Sequence, residues 1–276
     1  MLILFCMSSY ALMAQGFITK WAVDEITNLS IGIGTQGNGY NYNVDWGDGS
    51  AIETGFTGPA YHTYSTAGTY TVEITGSYPR ISIQSQPIIS VDQWGTMQWT
   101  SMRNAFANSR LLEINATDIP DLSNVTDMSG MFNTIKNINQ DIRNWDVSNV
   151  TNMGGMFSDA ISFNQDLSNW DTSNVDRMHI MFADTGTFNQ DLSSWDTSNV
   201  IMMHYMFAGA AAFNQDLSKW DVVKVANMDG MFFEAEVFDQ NIGMWNIESL
   251  TTAKRMFRYK IIMPWPLSIL VITALK

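Results

Sequence analysis

The chain is poor in the residues that most active-site chemistry needs. It holds one cysteine, Cys6, three histidines and six prolines in 276 residues. Cys6 lies in an N-terminal segment that export would remove, so the exported chain has no thiol. That excludes disulfides, thiol catalysis and cysteine metal sites together. Three histidines with no triad context leave little for general-base work, and the patterns H-E-x-x-H, G-x-S-x-G and the P-loop are missing. Positive charge is scarce as well: 14 Lys and Arg stand against 27 Asp and Glu, a net charge of −13. Phosphate binding needs clustered cations, which argues against nucleic acid as a partner. The apolar tail, residues 261–276, is too short and too broken by proline for a membrane span, and no transmembrane segment is expected.

What is present is a strict period. FNQDLSNWDTSNVDRMHIMF, from Phe163 to Phe182, returns from Phe188 to Phe207 and again from Phe213 to Phe232. Trp145, Trp170, Trp195, Trp220 and Trp245 are each 25 residues apart, and Phe157, Phe182, Phe207 and Phe232 keep the same step. So do Met128, Met153, Met178, Met203 and Met228. A period of this size denotes a solenoid or an array.

Within one unit, Val150, Met153, Phe157 and Ala160 fall on one face of a helix, with Ser148 or Asn149 placed to cap it. Gly154 and Gly155 make that helix short and weak. Leu167 and Trp170 mark a short extended piece, so each unit reads as one helix and one strand, the strands forming a narrow parallel sheet. One coil cannot bury enough to offset its backbone entropy, so the columns must stack between coils as buried core. The tryptophans could stack sugars if exposed, but their regularity favours core. The asparagine column (Asn164, Asn189, Asn214) and the adjacent glutamines can form amide ladders.

Ahead of the repeat, the chain alternates and turns like a small β-sandwich. TYTVEIT, Thr69 to Thr75, has the period of two of a strand, and WGDGS, Trp46 to Ser50, is a tight turn. VDWGDGS followed by HTYSTAGTYTV resembles the motif of PKD-type domains. That likeness implies an immunoglobulin-like sandwich serving as a spacer or interaction module. Asp45 and Asp48 read as closing their own turn rather than holding Ca²⁺, and His62 reads as structural, without a partner. Residues 1–15 read as a signal peptide, and residues 261–276 as a cap or the truncated end of the array.

FNQDLSNWDTSNV with M-x-x-M-F resembles the repeat of BspA-like leucine-rich-repeat surface proteins, and surface lipoproteins of mycoplasma type carry a similar one. The likeness implies an exported protein with a leucine-rich-repeat-like solenoid, adhering to extracellular or host-matrix proteins or to other cells. The expected fold is therefore multidomain. An all-β, immunoglobulin-like (PKD-like) sandwich over 16–82 precedes an α/β leucine-rich-repeat-like solenoid of about six turns over 83–260.

The expected function is adhesion or protein interaction by a monomeric, non-enzymatic, cell-surface, extracellular or outer-membrane-associated protein without cofactor. A polysaccharide-binding or polysaccharide-degrading solenoid and a passive spacer are the alternatives. Asn169, Ser194 and Lys219 differ at one equivalent site and are the candidate partner contacts. Asp166, Asp191 and Asp216 form an acidic column, with turn capping as the main reading and a calcium ladder as the lesser one. His179 and His204 occupy one place in adjacent repeats, too few for a usual zinc site, and read as exposed helix positions.

Overall fold

The computed structural model describes residues 15–26 and 29–257. The expected signal peptide, apart from Gln15, and the apolar tail lie outside them. The N-terminal part is built from eight strands. They are β1 (Phe17–Val23), β2 (Ser30–Ile33), β3 (Asn41–Asp45), β4 (Glu53–Phe56), β5 (Ala60–Thr63), β6 (Gly68–Ser77), β7 (Ile88–Gln93) and β8 (Glu113–Ile114). One sheet runs in the order β4-β3-β6-β1-β7-β8, and β2 pairs with β5 in the other. Alternation of side chains drives this arrangement: Phe17, Thr19, Trp21 and Val23 of β1 are buried and the residues between them are not. The WGDGS turn requires its first glycine. Gly47 has φ +75°, and a Cβ there would lie 2.1 Å from the Thr71 carbonyl oxygen.

The sheet does not stop at residue 82. β7 pairs antiparallel with β1, and β8 lies parallel to β7. Residues 80–85 act as the first layer beneath the repeats: Arg80 bridges Ser101 in parallel, and Ile83 and Ser85 donate to the carbonyls of Ala105 and Ala107. Sandwich and repeats are thus joined by backbone hydrogen bonds, without an open linker.

The repeats stack as coils. Parallel bridges link Asp127, Asn152, Arg177, Met202, Asn227 and Thr252 in turn, one per coil. The expected strand at Leu167 and Trp170 is not formed; Trp170 N–H closes a turn onto Leu167 instead. The expected helix is not formed either, and the described residues contain no helix. Over 153–160 the donors alternate. Met153, Gly155, Phe157 and Asp159 give their N–H groups to Arg177, His179, Met181 and Ala183 of the next coil. Met156, Ser158 and Ala160 give theirs to the residue three positions back. A helix cannot pass through Gly155 (φ 63°) and Asp159 (φ 59°), both left-handed. The apolar spacing that suggests a helix comes from two tight turns in succession.

The columns stack as core. Phe132, Phe157, Phe182, Phe207, Phe232 and Phe257 stand face to face at 5.5–5.8 Å along the array. Trp170, Trp195 and Trp220 are each 3 % exposed, which makes them core and removes them as sugar platforms.

Candidate functional site

The repeat leaves few side chains free to differ, because its polar columns are committed to the stack. Asn164, Asn189 and Asn214 accept, through Oδ1, the N–H of Asn189, Asn214 and Asp239 of the coil that follows, at 2.9 Å in each case. The same oxygens take the Nε2 donors of Gln190, Gln215 and Gln240 at 2.9–3.0 Å. The candidate calcium column is likewise engaged. Asp166, Asp191 and Asp216 accept the N–H of Ser168, Ser193 and Ser218 at 2.8–2.9 Å, closing Asx turns. Those bonds hold the Asp166 and Asp216 carboxyls below their ordinary range. Among the described residues no group of three or more histidine or carboxylate side chains is placed to hold a metal ion.

Asn169, Ser194 and Lys219 all lie exposed in one column. The column continues to Met244, which is 86 % exposed and is a feature that composition alone does not flag. A second surface group, partly buried, lies elsewhere on the coils. His179 and His204 stack at 4.9 Å with an 18° angle between their rings. They are partly buried in turns, not exposed on a helix. Burial lowers the pKa of both; at His179 the charges of His204 and Arg177 add to it, whereas Asp229 opposes it at His204.

Ile180 and Tyr205 follow them, with φ of 59° and 54°. Gly130, Gly155 and Gly230 fill the same place in other coils, also with positive φ. Tyr205 is 38 % exposed and nearby Ile201 is 39 % exposed. The neighbouring coils are cut to fit these rings. A Cβ on Gly154 would lie 2.3 Å from the His179 ring, and one on Gly230 would lie 2.2 Å from Tyr205. The sequence signal was available: His-Ile and His-Tyr stand where other coils have Ser-Gly, Gly-Gly or Asp-Gly, and Lys254-Arg255 stands there in the last described coil, with Arg255 also at positive φ.

In the sandwich, His62 does have partners, contrary to expectation. Its Nε2 lies 2.8 Å from Asp48 Oδ2, and its ring stacks on Trp46 at 4.9 Å. Asp45 and Asp48 accept the N–H of Gly47 and Ser50, as expected of a self-closed turn. Ser50 and then His62 bring the Asp48 pKa down to about 2.

Fold and surface together define a repeat-array protein carried on a β-sandwich domain. Residues 100–195 and 168–262 match the family described as "Mycoplasma protein of unknown function, DUF285", and residues 26–87 match the PKD domain. The chain belongs to that DUF285 family, whose matches span more than half of it. No curated protein matches the chain, and no solved structure does. Both matched domains are of extracellular or surface type, compatible with a surface protein. No helix among the described residues is long and apolar enough to cross a membrane.

Proposed function

We propose that this protein is a non-enzymatic adhesion or interaction module at the cell surface. It binds an extracellular or host-matrix protein, or another cell, through one face of a solenoid-like array of the kind its BspA-like motif implies. The observation that carries the reading is the Ile180–Tyr205 pair. A β-branched or bulky residue in the left-handed region costs ~1–2 kcal/mol against the glycine found there at 130, 155 and 230. Strain retained at a partly exposed surface, beside a stacked histidine pair, is a feature of recognition sites. Tyrosine is also among the residues that dominate protein interfaces.

The test is binding of the full exported chain to a panel of matrix proteins by surface plasmon resonance. Saturable binding to one of them, weakened at least tenfold in Tyr205→Gly, is the expected result. The substitution restores the residue found at Gly155 and Gly230, so the fold is kept while the contact is lost. Binding to none of the panel, or binding indifferent to Tyr205 and Ile180, would sink the reading.

A further inference from the structure

The coil-to-coil bonds recur until the first coil, where they run out of partners. Each later tryptophan donates its indole N–H to the carbonyl 28 residues before it: Trp170 to Ile142, Trp195 to Leu167, Trp220 to Leu192 and Trp245 to Leu217, at 2.9–3.2 Å. The same count back from Trp145 reaches Thr117, and no such bond is made. Each later glutamine donates to an asparagine Oδ1 26 residues before it. Gln140 has no such asparagine, because Glu113 and Ile114 leave the coil path to run as β8 beside β7.

These unmatched donors share one cavity. A space of about 380 Å³ opens between the first coil and the sandwich, lined by Trp94, Thr117, Asp118, Gln140, Asn144 and Trp145 among others. Its volume is that of a small-molecule site. Trp94 is fully buried, and its Nε1 has no hydrogen-bond partner among the described residues. The Trp94 ring is thus a closed part of the wall, and the donors that line the space are the Gln140 and Asn144 amides and the Trp145 indole. Asp118 fixes the wall: its carboxylate accepts the N–H of Trp94 at 3.0 Å and of Gly95 at 2.7 Å. Asp141 stands at the rim, paired with Arg143 at 2.9 Å.

We infer that this cavity binds a neutral saccharide, one or two pyranose units in size. The Trp145 indole and the Gln140 and Asn144 amide N–H groups meet hydroxyl, ring or acetamido oxygens; Thr117, Asn144 and Asp141 accept from hydroxyl groups. Two carboxylates and the net charge of −13 disfavour an anion. The site stands apart from the Ile180–Tyr205 face and does not depend on it.

The test is saturation-transfer NMR and calorimetry of the full exported chain. The probes are glucose, galactose, mannose, N-acetylglucosamine, lactose and cellobiose, with choline and inorganic phosphate as contrasts. At least one saccharide is expected to bind, with affinity reduced tenfold or more in Gln140→Ala and in Asn144→Ala. Glu248→Ala, exposed in a later coil and outside the cavity, should bind as the native chain does. Trp145→Phe keeps an aromatic ring, removes the N–H and should weaken binding. Matching thermal melts of the Gln140 and Asn144 variants guard against a folding artefact. No saccharide binding, binding indifferent to Gln140 and Asn144, or preference for choline or phosphate would each overturn the assignment.

Discussion

Trp195 illustrates how one side chain serves two coils. Its ring lies parallel to Trp220 at 6.5 Å, and its N–H reaches back to Leu167 at 3.0 Å. Trp195→Ala removes both the packing and the bond, and is expected to cost ~3–5 kcal/mol in urea unfolding. A near-neutral result would mean that the column is not core. The histidine pair sets a second residue-scale expectation, in pH. Both pKa values are lowered in the folded chain, so the unfolded chain binds protons first as pH falls. Their contribution to stability is full above the ordinary histidine value of ~6.5 and is lost as pH drops from there through the folded values. The melting temperature should therefore fall between about pH 7 and 5, and the slope should flatten in His179→Asn/His204→Asn. An unchanged slope in the double variant would assign the effect to other groups. Asp48, with its pKa at about 2, acts only at much lower pH.

At the scale of the element, the asparagine ladder is what ties one turn to the next. Asn164 accepts both the Asn189 N–H and Gln190 Nε2. Asn164→Ala leaves both donors short and is expected to cost ~1–3 kcal/mol, read by thermal and urea unfolding. Asn164→Asp, which keeps the acceptor oxygen, should cost less. The ladder was legible from the sequence because a column of one residue type at a fixed period has to stack. The burial of the tryptophans followed from the same argument. The backbone between the columns was not legible in the same way. Val150, Met153, Phe157 and Ala160 recur at three and four, a spacing that tight turns with left-handed closing residues reproduce as well as a helix does. Gly130, Gly155 and Gly230 at one closing position and Gly209 at the other carried the difference, whereas left-handed φ at Thr134, Asp159, Asp184 and Glu234 leaves no compositional mark. The His62 contacts were hidden because Asp48 lies across a turn, 14 residues away. The cavity at Trp94 was hidden because it depends on where the first coil departs from the period.

Across the whole molecule, register matters more than sequence. Removing residues 170–194 deletes one full period and joins Asn169 to Trp195, with every column preserved. That variant is expected to fold, with a smaller dependence of unfolding free energy on urea. Removing residues 170–193 shifts every later column by one position against the coil below, and the array beyond Asn169 should not form. Circular dichroism and limited proteolysis separate the two outcomes. If both deletions fold alike, column matching does not hold the array together.

The bonds between coils also have a mechanical meaning. They run from layer to layer, several to each coil, whereas β1 is held along its length by β6 and β7. A pull along the array opens it one layer at a time, and each layer released yields ~80–90 Å of extended chain. The sandwich strands are sheared together and resist longer. Under load the array would therefore lengthen in even steps and absorb work before the sandwich yields.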